Sequence, residues 1–335
     1  MTLKQERTVT MKIVNARDDW PAAQFGTEKY WSESYAFWAW DEKNDLTIYA
    51  HFQRHPDKPT IWRAYASVLR NDGVYTIHSY GPQHSPFGPG FQNCGITIER
   101  PFALWRLSVD GAAQFQTYER HETSCISDGP GVPLKIDVLL SLTGQRWAMP
   151  HGSPDTSKVM PAHYEQAGWI SGAIELGDQE FIIDCPGAND HSRGVRDTSN
   201  LRDGGFFFNA VFPGGRSLTA IKMGSEPDSG QVGYIATSDG TLHQATRIVS
   251  PEASWPIFGQ KDTFSIETSG PKAKLIVEPT KRRILLTMVP PNFEHVGLKD
   301  GLDTELYYCD HTCRVQWGDE CGWGSWEVAR RGGKP

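Results

Sequence analysis

The sequence NDHSRGVRD follows the apolar run QEFIIDC after a short turn, and it gathers side chains that can transfer protons and bind anions. Asp190 could orient or activate a neighbouring imidazole. An imidazole ordinarily titrates near neutral pH, so we expect that His191 could act as a general acid or base. Arg193 and Arg196 could bind a carboxylate or fix the loop through bidentate pairs. The alternative is a solvated turn in which the charges pair with neighbours for structural reasons only.

A second polar group stands in the sequence PAHYEQAGWISG, at the entry to the second half of the chain. Strand alternation would place His163 and Glu165 on one face and Tyr164 and Gln166 on the other. One of these pairs could face a cavity between domains, and Tyr164 could serve there as a phenolic proton donor. The alternative is an edge strand whose polar residues point to solvent.

The sequence KYWSESYAFWAW near the N-terminus is rich in aromatic residues, which suit the wall of a pocket for a hydrophobic, aromatic ligand. Trp38 and Trp40 are candidates for contact with such a ligand, although the aromatic core of a sheet gives the same pattern. Glu33 stands in the same run. It bears on function only where it points inward, because loss of water would then raise the pKa of its carboxyl.

Three of the six cysteines cluster near the C-terminus in the sequence CDHTCRVQWGDEC. Cys309, His311 and Cys313 would share one face of a strand, which makes a zinc site one interpretation. However, the spacing differs from the paired C-x2-C pattern of structural zinc sites. A predicted hairpin turn places Cys321 opposite Gln316 rather than Cys313. We therefore expect reduced, half-buried cysteines and no metal.

The chain has 335 residues and a formal net charge of −7, and its length suits two domains. The acidic balance and the lack of a basic stripe argue against nucleic acid as a partner. No apolar run approaches the ~18 residues of a membrane span. The N-terminal residues include no apolar stretch typical of a secretory signal. We therefore expect a cytoplasmic protein, and a homodimer is compatible with the sequence.

Short runs of β-type residues recur along the whole chain between turn sequences such as NDG, SDG and WGD. Many runs alternate apolar and polar positions, and no stretch carries a strong helical period. This pattern predicts an antiparallel all-β protein. The segment 146–166 is rich in Pro, Ser and charge, which favours a domain boundary there. We predict one β domain over residues 1–155 and a second, a β-barrel, over residues 156–335.

The sequence HYEQAGWISGAIELGDQEF, followed by GANDHSRGVRD, resembles a bacterial group of tandem lipocalin-like proteins. That group is related to the carotenoid 1,2-hydratase superfamily, which includes fungal Diels–Alderase-type cyclases. Its hallmark is an EQ…G strand followed by a turn of the form RDHSWGxRD. This chain departs from the pattern by carrying Asn189 for the first Arg and Arg193 for the usual Trp. WSESYAF near the N-terminus and GWGSWEVARR near the C-terminus also resemble the family's ends.

This resemblance implies two tandem lipocalin-like antiparallel β-sandwich or barrel domains, with a ligand pocket in one barrel or between them. Relatives add water to alkenes, or cyclise and isomerise hydrophobic molecules, without an organic cofactor. Such catalysis combines proton donation with shape control in a dry pocket. Arg193 in place of Trp puts a cation at the pocket, which favours an oxygenated or phenolic substrate. The Asp-His turn could instead be a structural latch between the domains.

The residues and the resemblance together predict a lyase, hydratase or isomerase that uses acid–base chemistry, without a cofactor, on a small hydrophobic or aromatic molecule. The catalytic candidates are Asp190, His191, Arg193, Tyr164 and Glu165. The candidates for substrate binding are Trp38, Trp40, Glu33, His163, Arg196 and Phe207. The alternative is a lipocalin-like carrier that binds its ligand without turnover. A carrier would have few titratable groups in its pocket, whereas an enzyme needs at least one inward carboxyl or imidazole.

Overall fold

The structure, a computed structural model, describes residues 15–55, 58–123, 129–150, 162–195, 205–224, 230–251, 259–289, 293–296 and 306–331. Across these residues the chain is built almost wholly of antiparallel strands, with one short α-helix, α1 (Tyr118–His121), and a 3-10 turn at Ala16–Asp18. The predicted all-β class is therefore confirmed. Within the described residues, no helix is long and apolar enough to cross a membrane.

The first sheet contains eleven strands, and eight of them close into a barrel. Its strands are β1 (Trp31–Asp41), β2 (Leu46–His55), β3 (Lys58–Arg70), β4 (Gly73–Pro82), β5 (Gly90–Phe91), β6 (Cys94–Arg100), β7 (Leu104–Gln116), β8 (Gly131–Leu142), β9 (Trp147–Ala148), β10 (Ala162–Leu176) and β11 (Gln179–Val195). They lie in the order β4-β3-β2-β1-β11-β10-β8-β7-β6-β5, with β9 beside β10. The barrel closes where β4 also pairs with β7, from Val74 to Thr76.

The second sheet has nine strands and closes in the same way. Its strands are β12 (Phe206–Val211), β13 (Ser217–Lys222), β14 (Gln231–Ala236), β15 (Leu242–Val249), β16 (Asp262–Thr268), β17 (Lys272–Val289), β18 (Phe293–Val296), β19 (Leu306–Trp317) and β20 (Glu320–Arg331). Their order is β16-β15-β14-β13-β12-β20-β19-β17-β18, and β16 pairs with β17 to complete a barrel of eight strands. The predicted pair of lipocalin-like β domains is thus observed.

The sheets divide the chain at a different place from the predicted boundary at 155/156. Strands β10 and β11, which extend from Ala162 to Val195, are hydrogen-bonded into the first sheet. Both strands pair over long stretches with strands from the N-terminal half. The second sheet begins only at Phe206. The strands within the segment 146–166, which are β9 and the start of β10, therefore belong to the first sheet.

Strand β1 has apolar residues at successive positions because both of its faces are buried. Tyr35 and Phe37 point into the core of the first barrel, whereas Ala36 and Trp38 belong to a cluster that includes residues of the second barrel. The outer face of β1 is therefore covered by the other barrel. A strand buried on both faces has no need of alternation. The KYWSESYAFWAW run thus contributes both to a core and to the contact between the barrels.

Specific polar bonds fix the two barrels against each other. The Trp38 indole donates to Asp310 Oδ2 at 3.2 Å, and the Thr47 and Thr312 hydroxyls lie 2.8 Å apart. The imidazole Nε2 of His121, on α1, accepts the backbone N–H of Leu285 at 2.8 Å. These buried bonds cross between the sheets, so they specify one relative placement of the barrels.

Candidate functional site

The NDHSRGVRD sequence forms a strand, not the predicted turn, as far as Val195. Strand β11 pairs with β1 on one side and with β10 on the other, and it brings Ala36, Asp190 and Glu165 into one row. The next row contains Tyr35, His191 and Tyr164. Successive side chains of a strand point to opposite faces. Asp190 is therefore on the outer face of the first barrel, whereas His191 points into its core.

A cavity of about 120 Å³ lies between the outer faces of the two barrels, and we call it the inter-barrel cavity. Among the predicted site residues, Asp190, Trp38 and Phe207 line it. Its other lining residues are Ser34, Ala36, Tyr49, His51, Tyr65, Ser192, Gly205, Phe206, Ile221, Lys222, Met223, Leu286, Met288, Tyr308, Glu327 and Ala329. An apolar chamber with a few carboxyl, imidazole and ammonium groups is the usual form of a small-molecule site.

Three aromatic rings form a stacked wall of the inter-barrel cavity. The Trp38 ring lies 5.5 Å from Tyr49 and 6.0 Å from Phe207, centroid to centroid, with interplanar angles of 17° and 14°. Asp310 holds the Trp38 indole through its N–H. Burial raises the pKa of Asp310 to about 6, although its bonds to Trp38 and Ser325 oppose this shift. The three rings are therefore nearly parallel and Trp38 is held in place, an arrangement into which a planar ligand can pack.

His163 and Glu165 share the outer face of the first barrel, as strand alternation predicts. His163 Nε2 lies 2.8 Å from Glu165 Oε1, and its Nδ1 lies 2.8 Å from Ser192 Oγ. The Thr219 hydroxyl, from the second barrel, donates to the other Glu165 oxygen. Burial raises the pKa of Glu165, against the lowering effect of His163. Strand β10 lies between β11 and β8, so the alternative of a solvent-facing edge strand is wrong.

Glu33, His191 and Arg193 form a separate cluster on the opposite face of the sheet, inside the first barrel. Glu33 Oε1 lies 3.0 Å from His191 Nε2 and accepts from Arg193 Nε at 2.9 Å, while Oε2 accepts from Arg54 Nε at 2.8 Å. Burial alone would raise the pKa of Glu33. The hydrogen bond to His191 and the charges of the Arg193 and Arg54 guanidinium groups instead lower it to about 2. The sequence-based expectation of a raised pKa for an inward Glu33 is therefore wrong.

This cluster holds the N-terminal segment, residues 15–22, against the barrel. The backbone N–H of Ala22 donates to Glu33, and its carbonyl accepts from Arg54 at 3.1 Å. Arg193 Nη2 donates to the carbonyls of Asp18 and Trp20 at 3.3 and 2.9 Å. The bonds join an irregular segment to the strands, so the arrangement resembles a latch more than an open site. We call this set the N-terminal latch.

Tyr164 extends the latch towards Asp19. Its hydroxyl is hydrogen-bonded to Asp19 Oδ1 and lies 3.0 Å from His191 Nδ1. Asp19 Oδ2 accepts from the Trp105 indole at 3.0 Å. The Tyr35 ring stacks on the His191 imidazole with centroids 3.9 Å apart. Burial lowers the pKa of His191 and raises the pKa of Asp19, so the chain of bonds from Asp19 to His191 favours neutral groups.

The structure therefore separates the predicted site residues into two groups. Asp190, Trp38 and Phe207 line the inter-barrel cavity. His163 is bonded to Ser192 of its lining, and Glu165 is bonded to His163. His191, Arg193, Tyr164 and Glu33 belong to the latch. Trp40 lines a different groove, with Trp169 and Trp323. Arg196 lies outside the described residues.

Sequence reasoning missed several residues of the cavity wall. Tyr49 and His51 share a strand face in the run LTIYAHFQ, so alternation could have paired them. The His51 imidazole Nδ1 lies 3.0 Å from Arg63 Nη2. The sequence did not single out Ser192 as a site residue, because the neighbouring Asp190, His191 and Arg193 have side chains that ionise. Its importance follows from its cross-strand neighbour, His163.

The cysteine-rich region does not bring its three thiols together. Cys321 lies opposite Gln316, as the predicted hairpin requires, and it is exposed. Cys309 and Cys313 are buried, and burial raises the pKa of both thiols. Burial also lowers the pKa of His311 to about 3. No group of three or more His, Cys, Asp or Glu in the described part of the chain is arranged to hold a metal ion.

Comparisons with solved structures find the same fold in proteins of very different sequence. An AttH-type protein from Nitrosomonas europaea has 12% identity and a TM-score of 0.60, over 91% of this chain and 94% of that one. Kievitone hydratase from Nectria haematococca has 12% identity and a TM-score of 0.58, over 97% and 94%. CghA in complex with Sch210972 has 10% identity and a TM-score of 0.54, over 91% and 89%.

These similarities show that this chain shares its fold with the three proteins, which agrees with the lipocalin-like relationship that the sequence resemblance indicates. No curated protein sequence matches this chain. The sequence profile of DUF7064, a domain of unknown function, matches residues 15–331, which is nearly the whole chain. The protein is therefore a member of the DUF7064 family.

Proposed function

We propose that this protein is a cofactor-independent hydratase, lyase or isomerase that acts on a hydrophobic, oxygenated small molecule in the inter-barrel cavity. The observation that carries the proposal is the position of Asp190. Its side chain lines a chamber whose walls are otherwise largely aromatic and aliphatic. A carboxyl beside a bound hydrophobic substrate can deliver or remove a proton in the course of hydration, dehydration or isomerisation.

The cavity suits a substrate that combines a ring with oxygen substituents. Tyr49, Trp38 and Phe207 offer nearly parallel aromatic rings against which a planar ring can pack. Lys222 and Tyr308, on the second barrel, give the same cavity polar groups that can bind hydroxyl or carbonyl oxygens. In this arrangement the aromatic wall orients the substrate, and Asp190 performs the proton transfer that hydration, dehydration or isomerisation requires.

The structural neighbours support this class of reaction. One of them is named a hydratase, and another was crystallised with a small organic molecule. Both extend over about nine-tenths or more of this chain. The likeness establishes the fold, and the titratable side chains of the cavity extend it to a proposal about activity.

The alternative is a carrier that binds a hydrophobic ligand without turnover. A carrier needs few titratable groups in its pocket. The cavity wall instead contains Asp190, His51, Glu327 and Lys222, which favours an enzyme. The carrier is the competing hypothesis, because an aromatic cavity binds hydrophobic ligands whether or not it transforms them.

The experiment that tests the proposal is incubation with kievitone and related phenolic alkenes and tertiary alcohols in ¹⁸O-labelled water. Mass spectrometry would detect hydration as a gain of ¹⁸O-labelled water and dehydration as a loss of unlabelled water, and chiral chromatography would detect isomerisation. We expect turnover of at least one compound, lost in Asp190→Asn and retained in Asp137→Asn, a carboxylate on β8 whose side chain is 45% exposed. Tight binding by calorimetry without any chemical change would establish the carrier. Equal turnover in Asp190→Asn would remove Asp190 from the reaction.

A further inference from the structure

Ser192, His163 and Glu165 form a continuous chain of hydrogen bonds that ends at the inter-barrel cavity. The register places His163 on β10 directly opposite Ser192 on β11, and Glu165 is two residues further along the same face. Ser192 Oγ lies 2.8 Å from His163 Nδ1, and His163 Nε2 lies 2.8 Å from Glu165 Oε1. Ser192 lines the cavity, whereas the other two lie behind it.

The three residues are held by packing on every side. All are buried: Ser192 is 2% exposed, and His163 and Glu165 are each 4% exposed. The His163 ring packs edge-on against Trp147 and Phe207, at 6.2 and 6.4 Å between centroids. An imidazole that lies between a hydroxyl and a carboxylate, and cannot rotate, is arranged to take a proton from the hydroxyl.

The carboxylate completes the arrangement. The Thr219 hydroxyl donates to Glu165 Oε2, so Oε1 is left to accept from His163 Nε2. With Nε2 donating to Glu165, Nδ1 carries the lone pair and accepts the Ser192 hydroxyl proton. The usual order of the two ring nitrogens in serine proteases is reversed here. Either nitrogen of an imidazole can act as the base, so the roles of the three groups are retained.

We propose that Ser192 is an activated nucleophile, with His163 as its base and Glu165 as the residue that orients the base, and that the cavity accepts small activated esters. The Ser192 oxygen forms a bond to the ester carbonyl carbon while its proton passes to His163 Nδ1. The carbon–alkoxide bond then breaks, and the leaving alkoxide takes the proton from His163. Water subsequently hydrolyses the acyl-serine, which yields the carboxylic acid and restores the hydroxyl.

The cavity defines the class of ester. Its volume of about 120 Å³ and its aromatic wall admit a short acyl group or a single ring. The Lys222 side chain lines the same chamber and supplies positive charge for the oxyanion of the tetrahedral intermediate. This inference is independent of the proposed hydration, because acylation of Ser192 requires neither Asp190 nor the natural substrate.

The test is covalent labelling of the native protein with diisopropyl fluorophosphate at pH 8, followed by peptide mass spectrometry. The serine oxygen displaces fluoride from phosphorus, and His163 takes the proton, so the label reports the activated hydroxyl directly. We expect one adduct, on Ser192, and no such adduct after unfolding in urea. We also expect p-nitrophenyl acetate to give an initial burst followed by slow turnover.

Matched variants assign the roles. Ser192→Ala should abolish the adduct, and His163→Gln and Glu165→Gln should slow labelling by about 10²-fold or more, the usual effect of losing a positioned base. Ser67→Ala is the control, because Ser67 is a buried serine whose hydroxyl partner is Thr76 rather than an imidazole. Circular dichroism would confirm that each variant is folded. An unlabelled native protein, or labelling of Ser192 at an unchanged rate in His163→Gln, would overturn the proposal.

Discussion

Asp190 and His191 are adjacent in sequence, yet they face opposite sides of one sheet. Asp190 lines the inter-barrel cavity, and His191 stacks on Tyr35 in the core of the first barrel. The cause is that β11 continues as a regular strand to Val195 with a partner on both sides. The two residues therefore have different surroundings: Asp190 faces the inter-barrel cavity, and His191 supports the N-terminal latch.

The first prediction separates the roles of these two residues. Asp190→Asn should lower turnover of a hydrated or isomerised substrate by about 10²–10⁴-fold, since it removes a positioned acid–base group. His191→Ala should lower the free energy of unfolding, because Glu33 and Tyr164 each lose a buried partner. Rates measured alongside urea unfolding would test both. A loss of turnover in folded His191→Ala equal to that in Asp190→Asn would contradict the separation.

The second prediction concerns the buried carboxylate of the latch. Glu33→Gln should cost about 3–5 kcal/mol of unfolding free energy, because Arg54 and Arg193 would lose the charge that balances them. In the native protein the lowered pKa of Glu33 gives stability that is present above pH 4.5 and is lost as pH falls towards about 2. Asp137→Asn removes an exposed pair with Arg106 and should cost less than about 1 kcal/mol.

The third prediction concerns Asp310, whose raised pKa works in the opposite direction. The folded state favours its neutral form, so the contribution of Asp310 to stability is most favourable below pH 3.8 and is lost as pH rises through about 6. A shift of roughly two units corresponds to about 3 kcal/mol. Asp310→Asn should therefore be more stable than the native protein at pH 8, by up to this amount. The difference should vanish near pH 4 in urea unfolding. A variant less stable at both pH values would contradict the assignment.

The fourth prediction concerns the junction between the barrels at His121. Burial lowers its pKa to about 3, so its neutral form gives stability that is present above pH 6.5 and is lost as pH falls towards 3. His121→Ala should cost about 1–3 kcal/mol at pH 7, because the Leu285 N–H would lose its acceptor. The variant should also show a flatter decline of stability between pH 6.5 and 4. His243→Ala, a partly exposed imidazole on β15, serves as the control.

The sequence alone determined the local features of this protein. Alternation of apolar residues and the spacing of turns predicted an all-β chain, the common face of His163 and Glu165, and Cys321 opposite Gln316. Each of these follows from backbone geometry within a few residues. The family motifs added the pair of lipocalin-like domains, because they carry information that a local pattern does not.

Only the tertiary structure decided which residues form a site. NDHSRGVRD has the composition of a turn, but pairing with β1, more than 150 residues earlier in the chain, makes most of it a strand. Because of that pairing, His191 and Arg193 lie on the inner face of the strand, in the latch, and Asp190 and Ser192 lie on the outer face, at the cavity. The cavity itself exists because two barrels bury their outer faces against each other. Such long-range contacts depend on the packing of the whole chain, so no short stretch of sequence contains them.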